Sequence, residues 1–480
     1  MINNIKKRLS SLAVFSILAG ALFVSCSDDI NLSNIDDNNY DKAKDSYVSL
    51  KNYNDARDMQ TVELRSGSTE IKVYLKLSKT QENTFSGKLK FDESVLNEYN
   101  NANGTDFKIF PLSSASIENG ETVTIEKGKT ESEPVTIKLK KDNSLEIGKS
   151  YILPVAFESN DSGIKTSSGE GAYLFVVKYM GNTPDAAKES GIVTIMYFEV
   201  NNTNILNAGE YMLKNSGKPF VDIVTIFAAN INYNKETGRV FVSMNENVSH
   251  LLSNRDKYIK PLQDKGIRVN LSILGNHDAA GVANLSESTA KDFAKELKAI
   301  VDAYGLDGID FDDEYSQYSQ SVGVPGFVTP SSNAYAQLCY ETKKIMPDKT
   351  VIVYHYGYVG FSQTVEGVNP GDFVDYTLEP YYGSFNNNIT RRYLGMTNKQ
   401  VSPYSRKIVD GLYKLPDGQG YYVGTYDMQT LKRVRDSEYG VNMLYDFNPA
   451  QSYVSAFNDF ASVLYDDEIV FSGNTFEKDW

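Results

Sequence analysis

Cysteine is almost missing: the 480 residues hold two, Cys26 and Cys339. No disulfide framework can be built from them. Cys339, inside the helical pattern 335–340, reads as a small buried hydrophobe. Histidine is nearly as scarce, with only three, His250, His277 and His355. No two show His-x-x-x-His spacing, so a metal-binding helix of that kind is excluded, and neither metal nor cofactor is expected. No glycine-rich phosphate loop follows an apolar run, which argues against a nucleotide-binding doubly wound sheet. Concentrated basic charge is lacking too: 48 Lys and Arg face 62 Asp and Glu, a net charge of −14. Nucleic acid is excluded as a partner, because neutralising its phosphates needs a dense basic cluster. A neutral ligand is the better match, and 33 Tyr with 23 Phe offer stacking and hydrogen-bonding surface for a polar, uncharged one.

The amino terminus reads as an export signal, 1–25. Lys6, Lys7 and Arg8 precede an apolar run, 12–24, too short and too close to the terminus to span a bilayer. The segment resembles a bacterial lipoprotein signal, with Phe23 where leucine is usual and Cys26 placed for lipidation. Ser27-Asp28-Asp29 resembles the acidic tag of surface lipoproteins of the Bacteroides group. The resemblance implies a lipid anchor in the outer membrane with the protein exposed at the cell surface. Residues 26–45, rich in Asp, Asn and Ser, read as a flexible tether.

Two or three folded units are expected from a length of this size. Residues 46–180 alternate short apolar segments with Gly, Asn and Asp turns, predicting an antiparallel β-sandwich of immunoglobulin-like kind with one short helix over 93–101. It serves as a glycan-binding module or as a packing scaffold. After the break at Gly181-Asn182-Thr183-Pro184, strands and helices alternate through 185–480. Buried-strand runs at 192–198, 221–227, 268–274, 308–311, 350–356, 374–378 and 441–445 are separated by helical patterns at 247–266, 286–304, 332–346 and 449–464. Repeating βα units of this size predict a (β/α)8 TIM barrel, in which active-site residues sit at the carboxyl ends of the strands.

One such end carries an unusual acidic row. Leu306 to Tyr315 reads Leu-Asp-Gly-Ile-Asp-Phe-Asp-Asp-Glu-Tyr, and strand alternation sets Asp310, Asp312 and Glu314 on one face. Three like charges on one face persist only with protonation or polar partners. The run from Asp307 to Glu314 matches the Asp-x-x-Asp-x-Asp-x-Glu signature and resembles glycoside hydrolase family 18. The following Tyr315 makes it similar to the endo-β-N-acetylglucosaminidase branch of that family. Two further stretches support the resemblance. Leu271 to Asp278 resembles the strand before the catalytic one, departing at Leu274, and Asp375 to Gly383 resembles the sixth strand of the endoglycosidases.

The resemblance implies hydrolysis of the β-1,4 bond between the two core N-acetylglucosamines of an N-glycan on a glycoprotein, high-mannose being the expected class. It also implies the substrate-assisted exception to two-carboxylate catalysis. Glu314 would be the general acid and base, Asp312 would steer the substrate acetamide, and Asp310 would share a proton or hydrogen bond with Asp312. Repulsion between Asp310 and Asp312 would help hold the pKa of Glu314 high. Tyr381 or Tyr382 would bond the acetamido oxygen. Ser272, Asn276, Tyr315, Tyr354, Tyr356 and Glu379 are expected substrate contacts, and the chain is expected to be a monomer. Trp480, the one tryptophan, is the last residue, whereas chitinases usually carry one at the eighth strand. An endoglycosidase is therefore favoured over a chitinase, with a non-catalytic glycan-binding protein as the alternative of another class.

Overall fold

The computed structural model describes residues 46–53, 59–160, 163–166, 170–418 and 420–480. The export signal, Cys26 and the tether lie outside these residues.

Period-two burial builds the first unit. In Ser68–Leu77, Ile71, Val73, Leu75 and Leu77 are buried while the residues between them face outward. Two five-stranded sheets result. One runs in the order Ala115–Ile117, Val135–Lys140, Ser68–Leu77, Ser46–Asn52, Ile164–Thr166, and the other Met59–Arg65, Ala172–Gly181, Ser150–Ser159, Phe85–Phe91, Thr122–Ile125. Most pairings are antiparallel, as expected. Two are parallel, Ser46–Asn52 with Ile164–Thr166 and Met59–Arg65 with Ala172–Gly181. These partners lie far apart in sequence, so no tight hairpin dictates their direction. The expected helix forms as Glu93–Asn103, capped by Asp92 accepting from the Ser94 N–H and closed by Gly104 at φ 63°.

The second unit is a nearly closed barrel. Its parallel strands are, in chain order, Val193–Glu199, Ile223–Asn234, Arg268–Leu274, Gly308–Asp312, Thr350–Tyr354, Tyr376–Leu378, Val401–Ser402, Ser405–Lys407 and Val441–Tyr445. The last strand pairs with the first and with Ser405–Lys407. Val401–Ser402 and Ser405–Lys407 went unpredicted because they are very short and Pro403, with no N–H to donate, falls between them. The helix Glu287–Tyr304 follows its amphipathic pattern, burying Ala290, Phe293, Ala294, Leu297 and Val301 below a Ser286 cap. The long helix expected over 247–266 is instead three pieces, Glu246–Ser253, Arg255–Tyr258 and Lys260–Asp264. Pro261, in the first turn of the third piece, has no N–H to give the Lys257 carbonyl, which accounts for the second break. A helix not anticipated, Thr425–Asp436, precedes the last barrel strand.

Alternation along the barrel strands separates two apolar layers. Ile195, Tyr197, Ile223, Ile352, Tyr354, Leu378, Val441 and Met443 fill the interior. Ile309, Phe311, Val351 and Val353 point outward to the helices. The sandwich meets the barrel at the amino ends of its strands. Lys178 pairs with Asp307 at 3.3 Å, Ser150 donates to Asp348 at 2.8 Å, and the Tyr99 hydroxyl donates to the Lys344 carbonyl at 3.1 Å. Burial pushes the Asp307 carboxyl up, but Lys178, Lys349, Gln263 and the Val269 N–H outweigh it and hold the group below the ordinary carboxylate range. Asp307, the first acid of the motif, is thus a fastening for the domain interface, and the carboxyl end of the same strand stays open.

Candidate active site

The fourth barrel strand, Gly308–Asp312, is buried at every position. Its inward acid Asp310 is placed by side chains from other barrel strands. Asp310, with no solvent exposure, accepts from the Tyr197 hydroxyl and from the Ser272 hydroxyl, both at 2.6 Å. Tyr197 comes from the first strand and Ser272 from the third. Burial raises the Asp310 pKa to about 7, and the two hydroxyls oppose that shift. Each oxygen of Asp310 is engaged by one hydroxyl, and the expected hydrogen bond to Asp312 is not formed. Asp312 is 4 % exposed, and its Oδ1 has no hydrogen-bond partner. Its pKa is pushed well up by burial first, then by Glu314, Asp310 and Asp313. Two like carboxyls on one buried strand face resist ionising together.

Glu314 stands beyond the strand end, half-buried. Burial raises its pKa and Asp313 adds to the shift, while the Tyr315 hydroxyl opposes it. The repulsion between Glu314 and Asp312 raises the Asp312 carboxyl, and Asp310 is not among the causes of the Glu314 shift. Asp313 points the other way, as alternation requires. It accepts from the Tyr318 hydroxyl and from the Tyr358 N–H, the latter at 2.7 Å.

The backbone carrying Glu314 is braced from the third strand. Tyr315 adopts φ 60° and accepts the His277 N–H at 2.8 Å, while the Gln317 N–H donates to the Asp278 carbonyl at 2.8 Å. Gly275 passes so near the Glu314 carbonyl that no Cβ fits there. Asp278 itself accepts from the Tyr233 and Ala280 N–H groups. Asn276-His277-Asp278 therefore buttresses the acid loop. Asn276 is exposed and donates to Asn232 at 3.0 Å.

Aromatic rings surround the acids. Tyr354, expected to touch sugar, is only 6 % exposed, and its hydroxyl contacts the Pro380 carbonyl at 3.1 Å and the Tyr382 hydroxyl at 3.2 Å. Tyr382 stacks on Tyr445, with ring centroids 5.7 Å apart and an interplanar angle of 14°. The charges of Asp312 and Glu314 both act on the Tyr382 hydroxyl, whose pKa is raised chiefly by burial. Tyr381 turns outward at 64 % exposure. Tyr315 and Tyr356 lie exposed at the rim. Glu379 departs from expectation: at 1 % exposure it is closed off from solvent, accepting from Asn386 at 2.8 Å and from the Tyr381 N–H at 3.3 Å. It ties down the turn that carries Tyr382. Tyr197, Phe227 and Tyr445 read in the sequence as ordinary strand residues. The signal was present for Tyr197, which alternation places on the same face as Ile195 and Glu199. Trp480 stacks on His250, with ring centroids 5.6 Å apart.

Over 298 residues, 61 % of this chain and 84 % of the relative, the protein is 46 % identical to endo-beta-N-acetylglucosaminidase F1 of Elizabethkingia meningoseptica. The chain belongs to the endo-β-N-acetylglucosaminidase family. A second member, from Flavobacterium sp. (strain SK1022), is 40 % identical over 198 residues, 41 % of this chain and 61 % of that one. Among solved structures, the endo-β-N-acetylglucosaminidase resembles EndoBT-3987 of Bacteroides thetaiotamicron with Man5GlcNAc product. The TM-score is 0.79 at 34 % identity, over 89 % of this chain and 97 % of that one. The same protein in complex with Man9GlcNAc2Asn substrate superimposes with a TM-score of 0.71 at 32 % identity, over the same shares of the two chains. A family model described as "-like, N-terminal domain" matches residues 36–164. The acidic motif's resemblance to glycoside hydrolase family 18 agrees with this membership.

Proposed function

We propose that this endo-β-N-acetylglucosaminidase cleaves the β-1,4 bond between the two core N-acetylglucosamines of high-mannose N-glycans, using the substrate's own acetamide as nucleophile. The observation that carries the reading is the pairing of a raised, half-buried Glu314 with Asp312 Oδ1, a buried acceptor that nothing in the protein satisfies. A buried unsatisfied acceptor costs free energy unless a ligand donor completes it. An acetamido N–H is such a donor. With the N–H held by Asp312, the acetamido oxygen swings to the anomeric carbon and displaces the glycosidic oxygen. Glu314 gives that oxygen its proton, leaving an oxazolinium ion whose positive charge the buried carboxyl pair stabilises. Glu314, now a carboxylate, then takes a proton from water as it opens the ring. Tyr382 is the acetamido-oxygen donor in this scheme. The ligands of EndoBT-3987 support the substrate class.

The fold reading is completed the same way. Taken as one seventh strand broken at Pro403, Val401–Ser402 and Ser405–Lys407 bring the barrel to the eight strands of a (β/α)8 fold. Residues 46–180 form its immunoglobulin-like companion. Cys26 carries the lipid anchor that holds a monomer on the outer membrane surface, facing glycoproteins.

Mass spectrometry of a high-mannose glycoprotein after incubation tests the activity. Each released chain is expected to leave one N-acetylglucosamine on asparagine. Intact glycoprotein alongside shortened chitin oligomers would favour a chitinase, and binding without cleavage of either would favour a glycan-binding protein. The two adjacent tyrosines separate cleanly: Tyr382→Phe is expected to lower kcat by about ten- to a hundredfold, the effect of losing one transition-state hydrogen bond. Tyr381→Phe is expected to leave steady-state rates near those of the wild type.

A further inference from the structure

In a chain with a net charge of −14, most cations on the described surface have an acidic neighbour. Arg391 and Arg433 do not: among the described residues neither guanidinium has a carboxylate within ion-pair distance. Asp436, on the same helix as Arg433, is taken by Arg435 at 2.9 Å. Both free arginines line one cavity of about 350 Å³ on the barrel flank, between the loop after the sixth strand and the end of helix Thr425–Asp436.

The cavity is built rather than loose. The Arg433 guanidinium lies 3.9 Å from the Phe385 ring centroid, and Phe385 meets Tyr439 edge-on at 5.9 Å. Stacking of this kind fixes a guanidinium while leaving its in-plane N–H groups free. The opposing walls are laced together by Asn398, which accepts from Thr390 at 2.7 Å and donates to the Ser437 carbonyl at 3.1 Å. Asn387 also lines the space. Two unpaired guanidiniums and amide donors, with no acid among the lining residues, make a receptor for a compact anion carrying several acceptor oxygens.

We infer that this flank cavity binds a phosphate or sulfate monoester, held between Arg391 and Arg433, as a second ligand site separate from the acids around Glu314. The site goes beyond the hydrolysis proposed above and does not depend on it. Isothermal titration of the full chain at low salt with mannose 6-phosphate, inorganic phosphate and neutral mannose tests it. Saturable binding of mannose 6-phosphate is expected, weakening as salt rises and at least about tenfold weaker in Arg391→Gln/Arg433→Gln, since each charge-assisted bond lost costs about that much. Tighter binding of mannose 6-phosphate than of inorganic phosphate assigns the site to a carbohydrate-borne ester, and equal binding assigns it to the bare anion. Both arginines are exposed, so the double variant is expected to keep its melting temperature and its rate on neutral glycan. No saturable binding of either phosphate, or binding unchanged in the double variant, or mannose binding as well as its phosphate, would overturn the inference.

Discussion

Glu314→Gln is expected to lower kcat on a high-mannose glycoprotein by about 10²- to 10⁴-fold, the usual worth of a positioned general acid, with KM nearly unchanged. The amide keeps the size of the side chain and holds no transferable proton. What disappears is protonation of the departing glycosidic oxygen, an event confined to the transition state. The deficit therefore depends on the leaving group. A β-N-acetylglucosaminide of p-nitrophenol, whose leaving group needs no proton, is expected to recover much of the loss in its first step. Wild-type turnover on the glycoprotein by Glu314→Gln would remove Glu314 from the mechanism.

Asp312→Asn carries the second large effect. Its rate is expected to fall by about 10²- to 10³-fold, comparable to removing one preorganised electrostatic contact. The reason differs from that for Glu314: an asparagine oxygen can still accept the acetamido N–H, but it brings no negative charge to the oxazolinium ion. Stability moves the opposite way from activity. The Asp310 and Asp312 carboxyls have folded pKa values raised above their unfolded ones, Asp310 to about 7 from 3.8. The folded state therefore binds more protons than the unfolded state, and each carboxyl withdraws stability as pH climbs above its unfolded value, fully so once pH exceeds the folded one. Asp312→Asn removes one of these penalties. Its melting temperature is expected to match the wild type near pH 4 and to exceed it increasingly toward pH 7 and above. A variant less stable than wild type at pH 7 would show that Asp312 holds the fold together instead of straining it.

The acid row was legible because its residues are physically improbable in a buried strand, and strand alternation alone sorted Asp310 and Asp312 inward and Asp313 outward. Ser286 and the apolar spacing behind it likewise marked helix Glu287–Tyr304 almost to the residue. Sequence reasoning failed where placement depends on three-dimensional neighbours. Nothing in the adjacent pair Tyr381-Tyr382 tells them apart; the turn clamped by buried Glu379 does, turning one outward and pressing the other against Tyr354 and Tyr445. Glu379 was misread for the same reason, since an acid beside tyrosines at a strand end suggests a sugar contact until its burial is seen. Tyr197 lies more than a hundred residues before Asp310, and only barrel closure brings its hydroxyl there. The strands Val401–Ser402 and Ser405–Lys407 escaped because pairs and triplets of residues carry no periodicity.

Intramolecular attack by the acetamide followed by attack of water inverts the anomeric carbon twice. Proton NMR of the released glycan in the first moments of reaction, before mutarotation, reads the outcome directly. The β-anomer of the new reducing-end N-acetylglucosamine is expected as the first product. An α-anomer formed first would mean direct displacement by water, and would contradict the roles given to Asp312 and to the substrate acetamide.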